Sequence, residues 1–297
     1  MNQSLRASSI SLASCLITLV GISVLSISPA LAQVNGLGPS PSSTFDVVFN
    51  TPADNATIFQ NPTIGMAGQT TQFNINGSFF QDFLVTGPMT EVNLNAGNIG
   101  FDFIINSGSE FNISGGTVDF NPLAQPGSVV NQTGGSFGQG GFTADGSLVN
   151  ISGGNQGLGF RAINGTDLNI SGGTIGALFG VESSSVANIS GGSFTFIEAF
   201  PTSEINFLGS QFSINGTPLN LSNGQPFTIT NRDVTLTGIL DDGSPISFDL
   251  NSSNAFGPGD FFSPDATITV TVPVPEPSSA AFMTLALAMG LARRRRR

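Results

Sequence analysis

Val149-Asn150-Ile151-Ser152-Gly153-Gly154 returns nineteen residues later as Leu168-Asn169-Ile170-Ser171-Gly172-Gly173, and again as Ala187-Asn188-Ile189-Ser190-Gly191-Gly192. Upstream it reads Phe111-Asn112-Ile113-Ser114-Gly115-Gly116, and Val130-Asn131-Gln132-Thr133-Gly134-Gly135 fills the step between. Stepping back by the same interval reaches Asn93-Leu94-Asn95-Ala96-Gly97 and Asn74-Ile75-Asn76-Gly77-Ser78. Stepping forward reaches Asn206-Phe207-Leu208-Gly209-Ser210 with one residue deleted. At Asn55 the pattern has faded and a cap is expected. Eight registers at a fixed interval near twenty residues are the mark of a solenoid.

The string apolar-Asn-apolar-Ser-Gly-Gly alternates with period two and ends in turn residues, which specifies a strand. Nineteen residues are too few for a strand, a helix and two loops, and no segment in this region shows a 3.6-residue period. A second phase is shared by Gly108, Gly127, Gly146 and Gly165, each followed by a hydroxyl residue, Ser109, Ser128, Ser147 and Thr166. The expected fold is all-β: a parallel β-helix of about eight 19-residue coils, apolar residues inward, coils stacked about 4.8 Å apart into a rod of roughly 35–40 Å.

If the flanking Val and Ile point in, Asn and the following Ser or Thr point out. The result is an outward ladder of Asn112/Ser114, Asn131/Thr133, Asn150/Ser152, Asn169/Ser171 and Asn188/Ser190. Such a ladder has a structural reading, amides hydrogen-bonded from coil to coil, and a functional one, a flat polar lattice for a repetitive polysaccharide. Several of these positions are also formal Asn-x-Ser/Thr sequons, whose spacing follows the coil.

The repeats are expected over residues 74–211, after a Pro/Ser-rich linker and N-terminal cap at 33–73. From Phe212 the character changes to short alternating stretches separated by Asn-Gly, Asp-Gly and Pro turns, which predicts a C-terminal antiparallel β cap over 212–272 covering the last coil's open edge. Asn231-Arg232-Asp233 reads as a turn.

The end of the chain is different again. Pro275-Glu276-Pro277 keeps the backbone extended. Ala280 to Ala292 is an uncharged apolar run of helix formers, roughly 20 Å long as a helix and so shorter than the ~30 Å hydrocarbon core. Arg293, Arg294, Arg295, Arg296 and Arg297 would hold the terminus on the cytoplasmic side. This segment, 273–297, resembles the PEP-CTERM sorting domain of bacteria that make exopolysaccharide. The resemblance implies processing by an exosortase, a membrane-embedded cysteine protease-transpeptidase. It also implies transient anchoring in the inner membrane and delivery to the cell surface or extracellular matrix. It implies no activity for the remaining residues.

The other end agrees with export. Arg6 precedes an apolar stretch ending at Ala30-Leu31-Ala32, a signal peptide over 1–32 with a small-x-small cleavage site at Ala30 and Ala32. A competing lipoprotein signal at Leu12-Ala13-Ser14-Cys15 fits less well, since most of the apolar stretch follows Cys15. Between these signals, of eight basic residues only Arg161 and Arg232 remain, against all nineteen acids, giving residues 33–277 a net charge near −17. That charge repels nucleic acid. The chain has no His, Lys, Trp or Tyr, and its one Cys lies in the signal peptide, so imidazole and thiolate chemistry are absent from the sequence.

Pectate-lyase-like β-helices need clustered carboxylates with a basic partner. Here Glu91, Glu110 and Asp167 share one column, Arg161 is alone in the solenoid, and Asp241-Asp242-Gly243-Ser244 reads as a hairpin turn or a Ca²⁺ loop. The Gly-rich run from Gly134 to Gly141 lacks the Lys of a phosphate loop. No catalytic residue, metal site or cofactor is expected. The expected function is an exported, non-enzymatic structural protein of the surface or matrix. The alternative is a carbohydrate-binding or adhesive module using the ladder, and behind it a β-helix polysaccharide lyase acting through Glu91 or Asp102. Exosortase is the expected partner, with exopolysaccharide as a second.

Overall fold

A computed structural model describes residues 63–64, 71–80, 85–86, 89–138, 140–182, 184–253 and 259–274. The signal peptide with Ala30 and Ala32, the linker up to residue 62, and the tail from Pro275 through Arg297 lie outside the described residues. Within them every element is a strand, and none is a helix long and apolar enough to cross a membrane.

The central coils show how the repeat folds. Leu148–Ile151 is a strand, Ser152-Gly153-Gly154 turns the chain, Asn155–Gln156 forms a second short strand, and Arg161–Ile163 a third on a different sheet. Gly165-Thr166 then returns the chain to Asp167, directly above Leu148. The next coil lies parallel and in register, Val149 over Leu168, Asn150 over Asn169 and Ile151 over Ile170. The same register joins Asn74, Asn93, Asn112, Asn131, Asn150, Asn169, Asn188 and Asn206. From Asn93 to Asn206 the chain completes about six turns of some 19 residues.

Alternation puts two apolar columns inside. Val92, Phe111, Val130, Val149, Leu168, Ala187 and Ile205 form one; Leu94, Ile113, Ile151, Ile170, Ile189 and Phe207 form the other. A file of rings runs alongside, with Phe137, Phe142, Phe160 and Phe179 at successive centroid distances of 4.6, 5.2 and 5.2 Å. Stacking apolar rungs removes both faces of every coil from water, the term that dominates folding.

The turns explain the remaining columns. Gly165 takes φ +80°, and the following Thr166 donates its hydroxyl to Ile163 O at 2.8 Å. Ser128 and Ser203 close their turns the same way, on Gln125 O and Phe200 O. In the last two coils the left-handed position is held by Ser184 and Thr202, at φ 64° and 67°. At the other corner the first Gly of each pair is required by contact, since a Cβ on Gly153 would stand 2.4 Å from Thr133 O in the coil below.

Two boundaries differ from expectation. The second sheet begins with Thr63–Ile64, paired parallel to Val85–Thr86, so parallel stacking starts inside the stretch assigned to the N-terminal cap. The C-terminal region is antiparallel only in part. Glu204–Ile214 runs out of the stack and pairs antiparallel with Thr235–Leu240, which pairs with Pro245–Asp249. Phe261–Phe262 then rejoins the second sheet on Glu198 and Ala199, and Thr267–Thr271 lies parallel on Glu204–Leu208, with Thr269 over Asn206. The chain thus makes an excursion of about fifty residues and returns to add a further rung, because the last coil still exposes a parallel edge that can be paired.

Candidate functional site

The asparagine column is continuous. Nδ2 of each residue donates to Oδ1 of the one below: Asn112 to Asn93 at 2.9 Å, Asn131 to Asn112 at 2.8 Å and Asn150 to Asn131 at 2.8 Å. Asn169 to Asn150, Asn188 to Asn169 and Asn206 to Asn188 follow at 3.0 Å each. Thr269 continues the column by donating its hydroxyl to Asn206 Oδ1. From Asn112 to Asn206 all of these amides are half-buried, and each is engaged on both sides.

The hydroxyl column beside it is more open. Ser114, Thr133, Ser152 and Ser171 are exposed and Ser190 is half-buried. Ser114 donates to Asn95 Oδ1 at 2.9 Å, and Ser152 and Ser190 approach the carbonyls of Gln132 and Ile170 at 3.4 and 3.3 Å. A further outward column went unread in the sequence although it has the same spacing: Thr117, Ser136, Asn155, Thr174 and Ser193. Gly-Gly separates the two hydroxyl columns in each coil.

Of the carboxylates weighed for a lyase site, Glu91 and Glu110 bond to the ladder. Glu91 and Glu110 are paired in register, as their spacing predicted, but Glu91 Oε1 accepts from Asn93 Nδ2 at 3.0 Å and Glu110 Oε1 accepts from Asn131 Nδ2 at 2.8 Å. Asp167 sits between Leu148 and Val186. Asp102 lies on a left-handed backbone at φ 55°, its N–H bonded to Phe120 O. Among the described residues no three carboxylates gather as metal ligands would. Arg161 pairs with Glu182, its Nε and Nη2 at 2.6 and 2.5 Å from Oε1.

Asp242 closes the hairpin expected at 241–244 and ties it to the solenoid. Its Oδ2 accepts from Gly192 N at 2.7 Å, and its Oδ1 from Ser244 N at 2.8 Å. Burial pushes this carboxyl up, but the bonds from Ser244 and Gly192 outweigh it and hold the pKa below the usual range. Neighbouring Asp241 is pushed up by burial and by the charge of Asp242. Asp260 accepts from Ile197 N and Asp249 N, joining excursion to stack, and burial raises its pKa. Arg232, in the expected turn, is a clamp on four carbonyls, those of Ile229, Asn231, Ser263 and Ala266. Burial lowers its pKa. Sequence spacing could not reveal the bonds of Asp242 to Gly192, Asp260 to Ile197 and Arg232 to Ser263 and Ala266, because each spans 31 residues or more and none follows the repeat.

The chain leaves the fold directly from the final parallel strand, Thr267–Thr271. Gly224 N donates to Val272 O at 2.7 Å, and Val274 is 65% exposed. Residues 273–297 match the family model of the PEP-CTERM protein-sorting motif. The PEP-CTERM segment therefore begins two residues after the last ladder strand ends. The motif marks an exported protein that an exosortase processes at the membrane, and the part so exported is a β-solenoid. No curated protein and no solved structure matches the chain.

Proposed function

We propose that the protein is a stiff, non-catalytic structural rod, delivered through its PEP-CTERM segment to the cell surface or extracellular matrix. One observation carries this reading: the asparagine amides that the repeat places at coil spacing are engaged in holding coils together. The asparagine amides bond to one another through six successive steps. The acids nearest them, Glu91 and Glu110, accept from the same amides. Incubating the purified mature chain with exopolysaccharide tests it. No new chain ends are expected, and depolymerisation abolished by Glu91→Gln or Asp102→Asn would overturn it.

A second reading, binding of a neutral polysaccharide, draws support from the exposed hydroxyls of Thr133, Ser152 and Ser171, which recur once per coil. It predicts that Ser152→Ala with Ser171→Ala weakens glycan retention in affinity electrophoresis. The pair Asn150→Ala with Asn169→Ala should act mainly through stability. Unchanged retention in the serine pair would exclude the ladder face.

A further inference from the structure

The place where the chain leaves the fold is unlike the rest of its surface. Thr267–Thr271 is the last parallel rung, and Phe227–Thr228 adds to it antiparallel, so the segment leading to Phe227 forms the end of the rod. Ser222 to Thr228 are all exposed, with Phe227 at 42%. This segment sits against the exit: Gly224 bonds to Val272, and a Cβ on Gly224 would lie 2.7 Å from Val274 Cγ2. No residue from Ile205 to Asn231 is charged, in a region of net charge near −17. Among the described residues, Glu204, Arg232 and Asp265 lie at the start of the last rung, away from the exit, and the next charge along the chain is Glu276 in the tail itself. Arg232 Nη2 donates to Ala266 O, and Asp265 O accepts from Thr202 N.

We propose that this charge-free end, Ser222–Thr228 with Val274, lies against the lipid headgroups while the precursor is held by its tail. The proposal depends on the reading of Ala280–Ala292 as a membrane-inserted anchor. Five residues lie between Val274 and Ala280, six steps of chain with a reach of at most roughly 20 Å. The exit end therefore stays within that distance of the bilayer, whatever the rest of the rod does. Anionic lipids repel a carboxylate-bearing surface, and Glu91, Glu110, Asp145, Asp167 and Glu182 lie along the coils. Ser222–Thr228 carry no carboxylate and meet no such penalty, and the exposed Phe227, paired with Val270, gains from interfacial burial. The contact is too small to anchor the protein, so its effect is orientation. The rod stands outward with its N-terminal coils farthest from the membrane and its polar columns free along the sides.

The test uses residues 33–297, the precursor left by signal cleavage, which contains no cysteine, reconstituted in vesicles of phosphatidylethanolamine and phosphatidylglycerol. An environment-sensitive dye is placed through Thr228→Cys or, on the flank, Ser152→Cys, and the lipids carry a headgroup quencher. Quenching about threefold stronger at 228 than at 152 is expected. In the Thr228→Cys chain, Asn223→Asp with Phe227→Asp should reduce it to the flank value while leaving flotation with the vesicles and the circular dichroism unchanged. Equal quenching at both sites in a chain that floats would overturn the orientation and leave the anchor standing. A chain that does not float would remove the anchor and the orientation together.

Discussion

Asn150→Ala in the middle of the ladder isolates what the amide column contributes. Asn150 donates to Asn131 at 2.8 Å and accepts from Asn169 at 3.0 Å, so the substitution leaves one acceptor below and one donor above without partners. At ~0.5–1.5 kcal/mol for each lost bond, the cost is about 1–3 kcal/mol. Val149 and Ile151 stay buried, so no apolar term is added. Stability of a solenoid is built from nearest-neighbour interfaces, and a central residue weakens two of them. Asn155→Ala is the control, being the same change at an exposed position outside the column. The chain has no Trp or Tyr, so urea unfolding must be followed by far-ultraviolet circular dichroism. Asn150→Asp sharpens the test. Its new carboxylate still accepts from Asn169 but opposes the oxygen of Asn131, which together with partial burial raises its folded pKa above the unfolded value. Stability tied to such a group is present below the unfolded pKa and lost as pH rises through the folded one. This variant is expected to be at least as unstable as Asn150→Ala at neutral pH. It should recover, relative to the parent at the same pH, below about pH 4, where the protonated oxygen can donate to Asn131. A cost for Asn150→Ala no greater than that for Asn155→Ala would refute the reasoning, as would an Asn150→Asp deficit that does not narrow on acidification.

The other expectations concern turns, the interior and the clasp. Thr202→Gly should raise stability by about 0.5–1 kcal/mol in thermal unfolding, because a β-branched residue at φ 67° carries strain that Gly lacks. Gly153→Ala places a Cβ 2.4 Å from Thr133 O and is expected to cost roughly 3 kcal/mol or more, whereas Gly165→Ala meets nothing within 4 Å and should cost only about 1–2 kcal/mol for its positive φ, both read from urea midpoints. Gln132 and Gln156 are buried in the apolar columns, bonded to each other through Gln156 Nε2, while Gln132 Nε2 and Gln156 Oε1 have no partner. Replacing both by Ile is expected to stabilise by about 1–4 kcal/mol, and replacing Gln132 alone to destabilise, as measured by chemical denaturation. Asp242 has a lowered folded pKa, so its contribution is present above the unfolded pKa and fades as pH falls through the folded one. A fall in the protection factor of the Gly192 amide on acidification, after correction for the intrinsic exchange rate and absent in Asp242→Asn, is the expected sign.

The sequence alone determined the period, the strand class, the parallel stacking and which residues face the interior, because every one of these repeats at a fixed interval. Asn112, Asn131, Asn150, Asn169 and Asn188 announce their own register, and alternation with Val and Ile decides their side. The sorting motif was legible for a different reason: its Pro-Glu-Pro, apolar run and arginines are contiguous. Nothing contiguous or periodic specified where residues 212–272 go. Short alternating stretches with Asn-Gly and Asp-Gly turns describe an antiparallel meander equally well whether or not the chain later rejoins the stack, and Thr267–Thr271 carries no Asn to mark it as another rung. Only the folded chain, in which the edge of Glu204–Leu208 must find a partner, decided that. The same holds for Asp242 on Gly192 and Arg232 on the carbonyls of Ser263 and Ala266, contacts between groups far apart in sequence. The ladder's chemistry was likewise settled in three dimensions: spacing put the amides in a column, and the 4.8 Å-scale stacking of coils let each one bond the next instead of facing water.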